Sequence, residues 1–277
     1  MSDKIFFFHN PKAGGSSLRR IFESRFPAEK RCPLIENDKA DHQGLRGNYV
    51  CFRGYDLYAG HYGYDIFAAV NDGHSCVTNF RDPVARLVSL YNFFRFSVNL
   101  SHEELRTDRF YAVLAAKSGS FERFVSADDP RVDVYVRNAH FRQLANSCWD
   151  LETAKGFKYV CRFIDGMPWY YVCEYPELSV RWMRRVFDWE LDEIPRENVT
   201  GCEGGQTTSL STLNDHTYKI IHSKNNLDFA IYKYALDHFL FRTRLADTPC
   251  GSRLFKAEKL KGSGWRRMRT RISSRVS

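Results

Sequence analysis

The sequence contains no apolar run that approaches the roughly 20 residues of a membrane-spanning helix. It begins without the basic segment, apolar stretch and small-residue cleavage site that mark a secretory leader. Its 8 cysteines are scattered and include no Cys-x-x-Cys pair, so we expect neither a zinc site nor a disulfide framework. These absences predict a cytoplasmic protein whose cysteines are reduced thiols.

Residues 1–252 have no net charge, although the whole chain is formally +8. Residues 253–277 contain the entire excess of basic over acidic residues, so nothing predicts a polyanion groove on the folded body, and no nucleic acid partner is expected. We expect one domain over residues 1–252 and a basic C-terminal extension over residues 253–277. Because residues 265–272 mix cations with apolar side chains, this extension either binds the anionic inner face of a membrane or is a solvated tail.

Short apolar runs alternate with segments of helical periodicity, which predicts an α/β fold with a central, mainly parallel sheet. Two long polar segments, residues 27–48 and 97–120, are expected to be surface loops that could supply an acceptor pocket. The predicted strands cover residues 5–8, 49–52, 57–61, 74–80 and 169–173. The predicted helices begin near residues 15 and 83 and cover residues 64–70, 132–145, 178–187, 214–223 and 227–245, with a flexible loop over residues 195–212.

The first chemical motif follows the buried strand predicted at residues 5–8. Its sequence is Asn-Pro-Lys-Ala-Gly-Gly-Ser-Ser, residues 10–17, and a helix begins within it. A strand, a glycine-containing loop and a helix N-terminus together form an anion site, because backbone N–H groups and the helix dipole favour negative charge. Lys12 adds a cation, and Ser16 and Ser17 add hydroxyl donors. The motif suits a phosphate or a phosphosulfate, although an ordinary strand-to-helix turn that contains a lysine is the alternative.

This loop is not a Walker A loop, in which the lysine follows the glycines and a hydroxyl binds magnesium. Here Lys12 precedes Gly14 and Gly15, and no acidic metal partner is evident after a later apolar strand. We therefore expect anion binding without a metal ion.

The second motif, Arg81-Asp82-Pro83, follows the strand predicted at residues 74–80. Asp82 suits a helix cap and Pro83 the first helical position. Arg81 lies at the carboxyl end of a strand, where open α/β sheets bind ligands, and Ser89 lies about two turns into the helix. Both side chains could contact one phosphate. The alternative is that Arg81 merely ends a strand and Ser89 is a tolerated helix serine.

Together the two motifs resemble those of the sulfotransferases that use 3′-phosphoadenosine 5′-phosphosulfate (PAPS), in particular the branch of heparan sulfate 2-O-sulfotransferase and bacterial carbohydrate sulfotransferases. Residues 10–17 are similar to that family's 5′-phosphosulfate loop, and residues 81–91 are similar to its 3′-phosphate motif. Weaker likenesses extend the resemblance from about residue 4 to 242, and they cover residues 59–64, 172–178 and 227–235. The resemblance implies a P-loop-like three-layer fold in which helices flank the sheet.

The resemblance also implies a role for each matched residue. Lys12 would contact the oxygen between phosphate and sulfate and stabilise charge on the leaving phosphate, and His61 would take the proton of the acceptor hydroxyl. Arg81 and Ser89 would hold the 3′-phosphate. Gly14, Gly15, Ser16 and Ser17 would cradle the 5′-phosphate, and Lys12 and Ala13 would also belong to the cofactor-binding loop.

Several positions depart from the family pattern or stay open. The family often has a glutamine where this sequence has His140, which is either a substrate-orienting residue or a second candidate for the base. The late loop, residues 201–209, has no basic residue, so its contact with the nucleotide is open. Arg86 suits an internal ion pair as well as a ligand contact.

The resulting prediction is a PAPS-dependent sulfotransferase that acts on a hydroxyl of a carbohydrate or glycolipid, releases 3′-phosphoadenosine 5′-phosphate and needs no metal. Its partners would be this nucleotide co-substrate and a saccharide acceptor. One alternative is a kinase-like phosphotransferase, which predicts magnesium dependence. The other is a non-catalytic phosphate-binding module tethered by the basic tail.

Overall fold

The computed structural model describes residues 4–33, 52–145, 154–194 and 207–246. The described part of the chain divides after residue 235 into two units. The first unit contains the sheet and every candidate site residue that follows. Of the second unit, the structure describes the end of the last helix. The boundary predicted between residues 252 and 253 lies outside the described residues.

Four short strands form a parallel sheet in the order β2-β1-β3-β4. They are β1 (Ile5–Phe8), β2 (Leu57–Gly60), β3 (Ser75–Phe80) and β4 (Trp169–Val172). Every strand residue except Ser75 is buried, as expected for a parallel sheet whose two faces are both covered. Helices flank the sheet, which confirms the predicted α/β class and is consistent with three layers.

The register of the sheet brings the ends of three strands together. β1 pairs with β2 on one side and β3 on the other, so Phe8 lies opposite both Gly60 and Thr78. The residues that follow β1, β2 and β3 therefore emerge at one edge of the sheet. The chain passes from β1 to β2 on one side and then to β3 on the other, and such switch points are where open α/β sheets bind ligands.

Twelve α-helices have described residues, and several match the predicted segments closely. The helix after β1 begins at Gly15, and the helices predicted at residues 64–70 and from Pro83 are present. The α-helices are α1 (Gly15–Glu23), α2 (Tyr64–Val70), α3 (Pro83–Asn92), α4 (His102–Leu105), α5 (Tyr111–Ser118), α6 (Phe121–Ser126), α7 (Pro130–Val136), α8 (Ala139–Leu144), α9 (Ala154–Asp165), α10 (Pro176–Phe187), α11 (Asp215–Lys224) and α12 (Asn226–Ala246). A π-helical turn, Phe93–Ser97, extends α3.

The single helix predicted over residues 132–145 is wrong, because the chain breaks between α7 and α8. Asn138 has a φ of 43°, in the left-handed region. Its Oδ1 accepts hydrogen bonds from the backbone N–H groups of Leu227 and Asp228, at 3.0 and 3.2 Å. These contacts with a distant segment of the chain hold a conformation that ends the helix.

The loop predicted over residues 97–120 is also wrong. This segment contains α4 and α5, and the apolar face of α5 packs into a helical core with Phe121 and Phe124. Residues 49–51 of the strand predicted at 49–52, and most of the loops predicted at 27–48 and 195–212, lie outside the described residues. Within the described ranges, no helix is both long and apolar enough to span a bilayer.

Candidate active site

The loop after β1 has a backbone that requires its glycines. Lys12 and Gly14 have φ values of 64° and 77°, both in the left-handed region. A Cβ on Gly14 would lie 2.9 Å from Cε1 of Tyr171, and a Cβ on Gly15 would lie 1.9 Å from Cδ2 of His9. The two glycines therefore let the start of α1 pack closely against the end of the sheet.

Asn79, the penultimate residue of β3, fixes this loop. Its Oδ1 accepts a 2.8 Å hydrogen bond from the backbone N–H of Asn10. Its Nδ2 donates to the carbonyl oxygens of Asn10 and Ala13, at 3.0 and 2.8 Å. Asn79 is fully buried, so these bonds satisfy backbone groups that water does not solvate. The sequence reading missed this residue, and the signal was a polar amide inside a buried strand.

Arg81 connects the two motifs directly. Its Nη1 donates a 2.8 Å hydrogen bond to the carbonyl oxygen of Lys12, so the second motif holds the backbone of the first. Asp82 accepts from the backbone N–H of Ala85 at 2.9 Å, and Pro83 occupies the first turn of α3, as the sequence predicted. The cap fixes the start of α3, and the bond from Arg81 fixes the residue before the cap to the loop of residues 10–17.

Arg81 and Ser89 line one cleft of about 210 Å³. Both belong to the segment that begins at the end of β3 and continues into α3. The remaining lining residues are Ala85, Val88, Asn92 and Leu210. The structure thus brings together the two side chains that the sequence assigned to one phosphate.

The late loop reaches this cleft through Thr208. Asn92 donates from Nδ2 to the carbonyl oxygen of Thr208 at 2.8 Å and accepts from its backbone N–H at 3.2 Å. These two bonds place Leu210, which follows shortly after, on the wall of the cleft. Most of the predicted loop 201–209 lies outside the described residues.

Lys12 is a partly buried cation with a lowered pKa. Burial, and secondarily the nearby positive charge of Arg81, lowers the pKa of its ammonium group to about 8. Its Nζ lies 4.1 Å from the centre of the Phe93 ring, within the range of a cation–π interaction. Phe93 begins the π-helical turn, so the turn presents an aromatic face to the loop lysine.

The other loop residues differ in their exposure. Gly14 and Ser16 are exposed, whereas Ala13, Gly15 and Ser17 are buried. Of the two exposed residues, Gly14 precedes α1 and Ser16 lies in its first turn.

His61 follows β2 at the same edge of the sheet and is exposed. Its Nδ1 lies 2.8 Å from the carbonyl oxygen of His9. A carbonyl oxygen only accepts, so Nδ1 is the donor and carries the hydrogen. In the neutral ring, Nε2 then carries the lone pair that a general base requires.

The ring of His9 lies beside that of His61, with centroids 4.3 Å apart. His9 is buried, and this burial lowers its pKa well below the usual value. The positive charges of His61, Arg19 and Lys12 act in the same direction. His9 is therefore a neutral neighbour of both predicted catalytic residues, and it also packs against the N-terminus of α1.

Gln143 of α8 is a second residue that the sequence reading missed. Its Nε2 donates 3.1 Å hydrogen bonds to the carbonyl oxygens of His9 and Tyr62. The first is the same oxygen that accepts from His61. Gln143 lies three residues after His140, the position at which the family often has its glutamine, and on the same helix.

The structure places His140 inside the protein rather than at the site surface. Its Nε2 lies 3.2 Å from Oγ1 of Thr78, and its ring packs 4.5 Å from that of Phe80. Burial, with a contribution from Arg86, lowers its pKa to about 3, so it is neutral at physiological pH. These contacts make His140 a packing residue that joins α8 to β3.

Arg86 forms an internal ion pair. It is 2% exposed, and its Nη2 lies 3.8 Å from Oδ2 of the equally buried Asp228. Asp228 also accepts hydrogen bonds from the backbone N–H groups of His140 and Phe141, at 3.3 and 2.8 Å. Between the two roles that the sequence left open for Arg86, the geometry favours the ion pair.

No protein-family model matches this sequence, and no curated protein of known function matches it.

Proposed function

We propose that this protein is a PAPS-dependent sulfotransferase that transfers a sulfuryl group to a hydroxyl of a carbohydrate or glycolipid. The observation that carries the proposal is the hydrogen bond from Arg81 to the carbonyl oxygen of Lys12. This bond links the loop of residues 10–17, which suits an anion, to the cleft that Arg81 and Ser89 line. PAPS has a phosphosulfate on the 5′ oxygen and a phosphate on the 3′ oxygen of one ribose, so it needs two such sites side by side.

The donor set fits this nucleotide. The loop offers the N-terminus of α1, the exposed Ser16 and the ammonium group of Lys12 to the phosphosulfate. The cleft of about 210 Å³ offers Arg81 and Ser89 to the 3′-phosphate. A guanidinium is suited to a phosphate because its N–H donors match the spacing of the phosphate oxygens.

His61 and Lys12 supply the chemistry at the two ends of the transfer. Nε2 of His61 takes the proton of the acceptor hydroxyl as that oxygen forms its bond with sulfur. The bond between sulfur and the bridging oxygen breaks, and its electron pair stays on the phosphate oxygen. The ammonium of Lys12 stabilises the negative charge that develops there. When bound, PAPS supplies the activated sulfuryl group.

Cellular location and acceptor class belong to the same proposal. We assign the protein to the cytoplasm, and this is compatible with Cys76 and Cys161, which form no disulfide in the described part of the chain. A carbohydrate or glycolipid acceptor is supported by the resemblance of residues 10–17 and 81–91 to carbohydrate sulfotransferases.

Sulfuryl transfer from PAPS to a panel of saccharide and glycolipid acceptors tests the activity. The variant His61→Ala should lower kcat by about 10²- to 10⁴-fold, because it removes the base, and should bind 3′-phosphoadenosine 5′-phosphate normally. It should also lose the acidic limb of the pH profile of kcat/KM. A fully active His61→Ala enzyme that keeps this limb would contradict the assigned base. Turnover of ATP that requires Mg²⁺, with no transfer from PAPS, would instead support the kinase-like alternative.

A further inference from the structure

We infer that Gln143 is the residue that positions His61 for catalysis, by fixing the backbone carbonyl to which His61 is hydrogen-bonded. This inference rests on the proposed function, in which His61 is the general base. The contacts that support it are four hydrogen-bonding groups at the edge of the sheet: His61 Nδ1, the carbonyl oxygens of His9 and Tyr62, and Gln143 Nε2.

The amide group of Gln143 connects the two backbone segments that control the His61 ring. One segment is the end of β1, whose His9 carbonyl accepts from His61 at 2.8 Å. The other is the segment that carries His61 itself, through the carbonyl of Tyr62. A single –NH₂ group has two hydrogens, so it can donate one to each carbonyl and hold both at a fixed separation.

The carbonyl oxygen of His9 thereby accepts two hydrogen bonds, one from His61 and one from Gln143. A carbonyl oxygen has two lone pairs, and here one faces His61 and the other faces Gln143. With the second lone pair engaged, the first has a defined direction, which sets the plane of the His61 ring and keeps the hydrogen on Nδ1. The lone pair of neutral His61 then stays on Nε2, where the proposed reaction needs it.

The helix that carries Gln143 is itself anchored. Asp228 accepts from two backbone N–H groups in the first turn of α8 and pairs with Arg86 of α3. The same helix α3 carries Ser89. The helix that carries Gln143 is therefore held in place. Through Asp228 and Arg86 it is also linked to α3, which lines the proposed 3′-phosphate cleft.

The side chain of Gln143 acts here through its donors. Its Oε1 is buried and has no hydrogen-bond partner in the part of the chain that the structure describes. If Gln143 served only to fill space, methionine could replace it without effect, because the two side chains have a similar length and shape. Methionine removes both donors, so the variant Gln143→Met separates positioning from packing.

The test combines ¹⁵N NMR of His61 with kinetics, using the full chain. The ring signals of His61 are assigned by their loss in His61→Ala. In the wild-type protein, neutral His61 should be the Nδ1–H tautomer. In Gln143→Met, a measurable share of the Nε2–H tautomer should appear, and kcat should fall by about 10- to 100-fold, as expected for a misplaced catalytic group. The Kd of 3′-phosphoadenosine 5′-phosphate should not change.

Asn138→Gly is the matched control, at the residue that precedes the same helix. Glycine accepts the left-handed backbone of Asn138 but removes the hydrogen bonds to Leu227 and Asp228, so it loosens α8 without removing the donors of Gln143. We expect a lower Tm with the tautomer of His61 unchanged. The inference is overturned if Gln143→Met keeps the wild-type tautomer or the wild-type kcat. If the tautomer shifts as expected but wild-type protein transfers nothing from PAPS, the positioning stands and the proposed function fails.

Discussion

The substitution Asn79→Leu should both destabilise the protein and weaken nucleotide binding. The amide of Asn79 forms three side-chain hydrogen bonds with the loop, two to Asn10 and one to Ala13, at 2.8 to 3.0 Å. Leucine has a similar volume and keeps the site filled, so the change removes the hydrogen bonds without opening a large cavity.

The size of the effect follows from these bonds. Each contributes about 0.5–1.5 kcal/mol net, and the buried backbone groups of Asn10 and Ala13 would be left without partners. We therefore expect the free energy of unfolding to fall by about 2–5 kcal/mol. A loop that is no longer held should also bind 3′-phosphoadenosine 5′-phosphate at least about tenfold more weakly, which corresponds to about 1.4 kcal/mol.

The assay is urea unfolding followed by circular dichroism, together with calorimetric titration of the nucleotide at a temperature where each variant is folded. Asn225→Leu is the matched control, because Asn225 is equally buried and hydrogen-bonds to Ile221 and Asn138, away from the loop. It should lower the free energy of unfolding and leave nucleotide affinity unchanged. If Asn79→Leu binds the nucleotide as tightly as wild type does, the side chain does not shape the loop, and the reasoning is refuted.

Two further predictions concern Lys12 and the basic tail. Because Lys12 has a pKa of about 8 and must be charged to stabilise the leaving phosphate, kcat/KM should fall as pH rises through about 8. Phe93→Leu removes the aromatic face that favours the charged form, so this basic limb should move to lower pH, and an unmoved limb would reject the contact. Deletion of residues 256–277 should abolish binding to anionic liposomes, to which each basic residue contributes up to about 1 kcal/mol, and should spare nucleotide binding. Undiminished liposome binding by the truncated chain would reject the membrane anchor.

The parts of the fold that the sequence predicted are those that local patterns determine. The apolar run at residues 5–8 has the form of a strand buried on both faces, and the strand is present over the same residues. Asp82 and Pro83 are the residue types that begin helices, and α3 begins where they lie. The parallel sheet followed from the alternation of such segments.

The parts that the sequence did not predict depend on contacts between distant residues. Asn79 lies 69 positions from Asn10, and Gln143 lies 134 positions from His9, so no local pattern connects either pair. The break at Asn138 is held by the start of α12, which overrides a helical periodicity that runs through it. Parallel pairing of β1 and β2 is the feature that could have indicated a contact between His9 and His61, since each follows the end of its strand.

The helices between residues 102 and 118 were missed for a different reason. The first of them is only four residues long, and residues 111–116 of the second are all apolar, so no alternation of polar and apolar faces marks it as a helix. The core that covers this face is formed by Phe121 and Phe124 together with α3. Such a segment becomes helical because it is packed, and the packing partners are not visible from its own composition.

The measurement that tests the central claim most directly is a calorimetric comparison of 3′-phosphoadenosine 5′-phosphate with AMP. The two differ by the 3′-phosphate assigned to Arg81 and Ser89, which line one cleft. Loss of hydrogen bonds to this charged group should cost about 2–4 kcal/mol, so AMP should bind about 30- to 900-fold more weakly. Arg81→Met should remove most of this difference. Equal affinity of the wild-type protein for the two nucleotides would contradict the assignment of the cleft, and with it the proposed use of PAPS.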